Sequence, residues 1–210
     1  MDFARARTRE QVISRQEEII NACDTLFSQE GYDGVNFKAL SAMTSITRPS
    51  LYNYYETKDE VLLDLLKREI LRWQTYLNDV IDATPMMTKA QYSAYLTQAL
   101  LERWKLGELF SLQYPILQRK CSEQKLTDFS KIISQLHDTF TKGLDKYFPA
   151  ASPENKTTFI IAFFAYVRGL YPMSNLFPKK RKTTRKARAD DPVDFQQMCY
   201  QGILLLLSNL

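Results

Sequence analysis

Thr44–Glu60 reads TSITRPSLYNYYETKDE, with three tyrosines, Tyr52, Tyr54 and Tyr55, inside four residues. A packed core has little use for phenols, because each buried hydroxyl needs a hydrogen-bond partner. Thr47 is a suitable N-cap, and Pro49 falls in the first turn, where a missing N–H does no harm. The spacing therefore predicts a short helix running to about Tyr54. Arg48 and Tyr52, four apart, share one face of it. Leu51 and Tyr55 face the other way and can pack on Phe27, Leu40 and Ile46. Thr57-Lys58-Asp59-Glu60 reads as a capping box opening the next helix.

Upstream, Val12, Ile13, Ile19, Ile20, Cys23, Leu26 and Phe27 recur at three- and four-residue spacing, which predicts an amphipathic helix from about Thr8 to Glu30. Gly31 stands where a helix C-cap belongs, and GYDG is a tight turn. Asn36 can cap a helix from Phe37 to about Met43, which Thr44-Ser45-Ile46 breaks. Two short helices joined by a tight turn, behind a longer one, form a helix-turn-helix layout. On that layout Arg48, Ser50 and Asn53 are free to enter a major groove, where Arg can bind guanine and Asn adenine in bidentate fashion. The Tyr52 and Tyr54 hydroxyls and the Lys58 ammonium suit phosphate oxygens. N–H groups at the starts of the helices capped by Asn36 and Thr57 add to them.

The stretch from Gln16 to Leu66 resembles the DNA-binding domain of the TetR family of bacterial regulators. The resemblance rests on Phe27, Gly31 and Tyr32, then FKALSA, ITRPSLYNYY and KDEVL. It implies that Lys38, Thr47, Arg48, Ser50, Tyr52, Tyr54 and Lys58 face DNA. It also implies a larger C-terminal domain with a buried effector pocket and a dimer interface from the last two helices. Ser45 departs from the glycine usual at the turn, and it must accept a strained backbone or use its hydroxyl there. Pro49 stands where Gly or Ala is common.

The rest of the chain also reads as helical, giving an all-α protein of about nine helices. The 210 residues are 45% hydrophobic and 25% charged, with only 6 glycines, a composition that suits a packed helical core. Thr57 or Lys58 opens a long helix closed by Ala83-Thr84-Pro85. Further helices are expected over 88–105, over 107–119 with a kink at Pro115, and over 123–148, 153–176 and 193–208. Residues 1–58 are expected to form the DNA-binding domain, with 1–8 a flexible arm; Arg5, Arg7 and Arg9 make this end basic, which suits either a minor groove or a solvated tail. Residues 59–210 are expected to bind effector and partner.

The net charge of +4 is not spread evenly. Seven basic residues lie in KKRKTTRKAR, Lys179–Arg188, and the rest of the chain holds 21 positive against 24 negative side chains. Bulk charge therefore says little about the tyrosine-rich stretch. The basic run itself reads as a solvated loop, with non-specific polyanion contact or an acidic partner the sharper alternatives. Cys23, Cys121 and Cys199 lack any C-x-x-C spacing and read as reduced thiols. The N-terminus has no apolar signal core, and ILLLL at 203–207 is far shorter than the roughly 20 residues that span a bilayer. The expected location is the cytoplasm, with no membrane partner.

Trp73, Tyr76, Tyr95, Trp104, Phe110, Tyr114, Phe140, Phe163 and Tyr166 are candidates for an aromatic effector pocket. Arg103, Gln113, His137 and Arg168 are the polar candidates, with a surface position the competing fate for His137 and plain core that for each aromatic residue. The helices near 159–171 and 203–207 are apolar on more than one face and must be buried somewhere. Phe159, Phe163, Val167, Leu170, Phe195, Met198, Ile203 and Leu206 are the expected dimer-interface residues. No His/Cys/carboxylate cluster has metal-ligand spacing, and no nucleophile–base pairing or glycine-rich phosphate loop points to catalysis. The expected function is a DNA-binding regulator, an effector-responsive repressor acting as a homodimer on palindromic double-stranded DNA, with an apolar or aromatic effector and no cofactor. The alternative is a module of the same fold that no longer binds DNA.

Overall fold

The computed structural model describes residues 9–112, 120–174 and 195–210, which hold nine α-helices and no strand. The chain divides into two compact units, Met1–Ile70 with Leu112–Ile132, and Leu71–Ser111 with Ile133–Leu210.

In the first unit, α1 (Arg9–Gly34) buries Ile19, Ile20, Ala22, Cys23, Leu26 and Phe27 on one stripe. Gly31 interrupts the helical backbone with φ 68°, a left-handed conformation that glycine adopts without a Cβ penalty. α2 (Phe37–Ala42) is capped by Asn36, whose side-chain oxygen accepts the Ala39 N–H at 2.9 Å. α3 (Arg48–Leu51) is capped by Thr47, which accepts the Ser50 N–H at 3.4 Å.

α3 is shorter than the sequence predicts and ends at Leu51 rather than Tyr54. The Asn53 and Tyr54 N–H groups bond back only three residues, to Ser50 and Leu51. That tighter winding is common at helix ends. Leu51 and Tyr55 are each 1% exposed and join Val35, Phe37, Leu40 and Ile46 in a core floored by Val61, Leu62, Leu65 and Leu66 of α4 (Lys58–Ala83).

The capping box expected at α4 is only half formed. The Glu60 N–H donates to Thr57 Oγ1 at 3.3 Å, but the Glu60 carboxylate accepts the Glu56 N–H at 2.8 Å instead of that of Thr57. The complete box lies at α5 (Lys89–Glu102), between Thr88 and Gln91.

In the second unit, the single helix expected over 88–105 is two. Arg103, at φ −115° and ψ 46°, separates α5 from α6 (Trp104–Leu112). Tertiary contacts explain the break. The Tyr171 hydroxyl donates to the Leu100 carbonyl at 2.8 Å, in the last turn of α5, where carbonyls lose their intrahelical partners. The same ring lies against Gly107, where a Cβ would sit 1.8 Å from Tyr171 Cζ. Pro115 and its expected kink lie outside the described residues.

α7 (Glu123–Tyr147) and α8 (Pro153–Ser174) match their expected spans closely. α9 (Phe195–Leu206) ends in a short 3₁₀ turn, Leu207–Asn209. Gln74 of α4 donates to the Gln135 carbonyl and the Thr139 hydroxyl of α7 at 3.0 and 3.1 Å. Ser93 of α5 donates to the Tyr200 carbonyl of α9 at 2.7 Å. Among the described residues, no helix is long and apolar enough to cross a membrane.

Candidate nucleic-acid interface

Thr47, Arg48 and Asn53 are exposed, Ser50 and Tyr54 half-buried, and Lys38 on α2 is exposed. Tyr52 is 56% exposed, while its ring edge rests on Phe37 with 4.8 Å between centroids. The contact orients the ring and leaves the phenol outward. Tyr55, by contrast, is sealed in, and burial followed by the nearby Asp64 charge raises its pKa well above that of a free phenol. The three tyrosines thus divide into one open, one intermediate and one core residue. The Thr47 and Ser50 hydroxyls lie 2.9 Å apart and bond to each other.

Lys58 is held more closely than the sequence suggests. Its Nζ donates to the Tyr32 carbonyl at 3.0 Å and stands 3.8 Å from the centre of the Tyr32 ring. The Tyr32 hydroxyl in turn donates to Asp59 Oδ1 at 2.7 Å. An ammonium has three donors, so a phosphate oxygen can still be reached from this position.

Ser45 needs no glycine-like backbone, since among the described residues only Gly31 has positive φ. Its N–H donates to Glu18 Oε1 at 2.5 Å and its hydroxyl to Glu18 Oε2 at 3.1 Å. Arg15 donates to Ser45 Oγ and pairs with Glu18 at 2.9 Å. Burial acts to raise the Glu18 pKa, but these hydrogen bonds outweigh it and hold the carboxyl below its ordinary value. The turn between α2 and α3 is therefore pinned to α1 by a side-chain network.

A second network braces the start of α4. Ser122 donates its N–H and hydroxyl to Glu60 Oε1 at 2.9 and 2.7 Å. Thr57 donates to the Lys120 carbonyl at 2.9 Å, and Lys125 to Asp64 at 2.5 Å. Lys125 also lies 4.4 Å from the centre of the Tyr55 ring. Asp59, Glu60 and Asp64 are all buried, and buried carboxylates need such partners. Burial pushes the Glu60 pKa up, yet the bonds from Ser122 and Glu56 bring it below the ordinary range.

Residues 19–65 match the family model described as bacterial regulatory proteins, tetR family, and residues 67–208 match that described as tetracyclin repressor-like, C-terminal domain. The chain belongs to the TetR family. Over 46 residues it is 39% identical to the biofilm operon icaADBC HTH-type negative transcriptional regulator IcaR of Staphylococcus epidermidis. That match spans 22% of this chain and only 25% of the relative's length. A TetR-family regulator structure from Mesorhizobium loti aligns over 96% of this chain and 98% of its own, with TM-score 0.61 and 12% identity. The FadR regulator of Bacillus subtilis, solved with stearoyl-CoA, aligns over 92% of this chain and 98% of its own, with TM-score 0.63 and 12% identity. At such identity these structures bear on the fold alone.

In the larger unit of this TetR-family chain, several expected pocket residues form an interlocked core. Trp73, Phe110, Phe140 and Phe163 are at most 1% exposed. The Trp73 ring packs on Phe140 at 5.5 Å and on Phe110 at 6.4 Å, and Phe140 packs on Phe163 at 5.1 Å. Tyr166 lies apart from that cluster and donates to the Met198 carbonyl at 2.7 Å. Tyr76, Tyr95 and Arg103 form a separate stack. Tyr114, Gln113, Arg5, Arg7 and the basic run 179–188 lie outside the described residues. Among those described, no group of three or more His, Cys, Asp or Glu is placed to hold a metal.

The expected dimer-interface residues differ in burial. Phe159, Phe163, Val167, Leu170 and Ile203 are each at most 3% exposed within the single chain. They pack into their own unit and have little surface left for a partner. Phe195, Met198 and Leu206 are half-buried. The large apolar side chains exposed on α8 and α9 are Ile161, Met173 and Leu205, at 64%, 47% and 73% exposure. The sequence also gave no sign of a groove of about 490 Å³ lined by Ala94, Thr97 and Gln98 of α5 and by Gln196, Gln197 and Tyr200 of α9. Its lining is distributed over two helices far apart in the chain and has no motif.

Proposed function

We propose that the chain is an effector-responsive repressor that works as a homodimer, with each copy placing α3 in the major groove of one half-site. The carrying observation is the arrangement at α3. Arg48 on α3, and Tyr52 and Asn53 in the turn that follows it, are open, while Leu51 and Tyr55 beside them are locked in the core. Arg48 and Asn53 suit base edges, whereas Tyr52, Lys38 and Lys58 suit phosphates. Thr47, Ser50 and Tyr54 complete the surface. In this reading about the first 58 residues bind DNA, and the remainder binds effector and partner.

The dimer reading is supported by Ile161, Ala165 and Gly169, which recur at four-residue spacing on the outer side of α8, with Leu205 exposed on α9. Two such helices from each copy make a four-helix bundle about a two-fold axis. Repression is favoured by the negative regulator among the relatives.

The test is a duplex selected from a random library, followed by fluorescence anisotropy and sedimentation. The expected result is two half-sites about 34–36 Å apart, or a multiple of that, bound by one dimer. A monomer that binds no selected sequence better than random DNA would overturn the reading.

A further inference from the structure

Lys58 is the first residue of α4. The N-terminal end of a helix carries a partial positive charge, so local rules disfavour a cation there. Its ammonium is nevertheless held on two sides by one residue. Tyr32 lies in the last turn of α1, just after the break at Gly31, where carbonyls have no intrahelical partner. Lys58 Nζ donates to that carbonyl at 3.0 Å and stands 3.8 Å from the centre of the Tyr32 ring. A cation over an aromatic face is attracted by the ring.

The ring is itself fixed. Its hydroxyl donates to Asp59 Oδ1 at 2.7 Å. Burial, that bond and the Asp59 charge raise the Tyr32 pKa well above that of a free phenol, so the hydroxyl keeps its proton and stays a donor. Asp59 is 2% exposed, and a buried carboxylate needs such a partner. Lys120 Nζ, 3.9 Å from Asp59 Oδ2, is beyond hydrogen-bond range. Tyr32 therefore touches both Lys58 and Asp59, although successive residues of a helix point apart. A lysine side chain has many rotamers, and fixing it before a ligand arrives lowers the ordering cost of binding. The carbonyl takes one of the ammonium's three donors, and phosphate oxygens can accept the others.

We propose that Tyr32 is a positioning residue for DNA binding: its carbonyl and ring hold the Lys58 ammonium ready for a phosphate oxygen, and its bond to Asp59 keeps the ring in place. This rests on the DNA-binding reading above and adds to it a residue that acts through Lys58.

The test crosses Tyr32→Leu and Tyr32→Phe with Lys58→Gln in the full chain. Each protein is titrated against the selected duplex and random DNA by fluorescence anisotropy at several KCl concentrations, with circular dichroism to show folding. Lys58→Gln should make the log–log salt slope shallower by about one on both DNAs. Tyr32→Leu, which removes the ring, should weaken binding to both by about three- to tenfold. Tyr32→Phe, which keeps the ring and the carbonyl but not the tether, should weaken both by about twofold. In chains that carry Lys58→Gln, neither Tyr32 substitution should weaken binding further. A merely structural Tyr32 would lose the same factor with or without Lys58, and that result would overturn the proposal. So would full parental affinity in Tyr32→Leu. If Tyr32→Leu does not fold, the Tyr32→Phe cycle decides by the same comparison. A parental chain that binds selected DNA with a salt slope unchanged by Lys58→Gln overturns this role and leaves the DNA reading standing. A parental chain that binds no duplex removes both.

Discussion

Tyr52, the C-cap residue of α3, and Trp73, in the middle of α4, are both large aromatic residues, yet their fates are opposite. Tyr52 stands 56% exposed at the end of a one-turn helix, and Trp73 is wholly buried in the middle of a 26-residue one. The difference lies in what positions each ring. Tyr52 is set by local chemistry, the Thr47 cap and Pro49, with a single edge contact to Phe37. Trp73 is set by α6, α7 and α8, which bring Phe110, Phe140 and Phe164 onto it. The first region leaves its side chains open to solvent, whereas the second engages them on one another.

Substitutions can break this contrast. Trp73→Ala should cost about 3–5 kcal/mol of stability, read as a fall in the urea midpoint, and the surviving folded fraction should keep its ranking of DNA sequences. A folded, unperturbed Trp73→Ala protein would show that the interior is not packed as described. Arg48→Ala should leave stability within about 0.5 kcal/mol. It should cost about 1–3 kcal/mol of binding to the selected duplex and relax preference at one base pair. Equal losses on selected and random DNA would make Arg48 a phosphate contact only.

Ser122→Ala removes the hydroxyl that Glu60 accepts and should cost about 1 kcal/mol in the same unfolding experiment. Its sign with pH is defined. The folded Glu60 pKa lies below its ordinary value of 4.5, so the stabilisation is fully present above about pH 4.5 and is lost as pH falls through the lowered value. In Glu60→Gln that part of the acid slope should disappear. An acid limb identical to the parent's would show that the Ser122 contact is not formed. The smallest effect is expected of Tyr52→Phe, about 0.5–1.5 kcal/mol of binding on every sequence alike, with thermal stability unchanged. A change of sequence preference would move Tyr52 from the backbone-contacting group to the base-reading one.

The local rules were legible where a residue and its partner are close in the chain. The Asn36 and Thr47 caps, the glycine at position 31 and the inward turn of Leu51 and Tyr55 all follow from spacings of four residues or fewer. The same rules misplaced the ends of elements. α3 stops at Leu51, and the expected helix over 88–105 breaks at Arg103 because Tyr171 and Gly107 meet there. Apolar periodicity identified α8 and α9 as buried helices but could not say against what. Phe159, Phe163 and Val167 turn to their own unit, and Ile161 and Leu205 are left outward.

The amino-acid order alone determined that the chain is helical and set the Asn36 and Thr47 caps, because hydrogen bonds across one helical turn depend on neighbours in the chain. The tertiary structure decided the clasp of Glu18 on Ser45, that of Glu60 on Ser122, and which aromatic rings of the larger unit interlock. Those partners stand 27, 62 and 67 positions apart. At such separations a carboxylate or a ring has many possible partners, and only the packing of whole helices selects one.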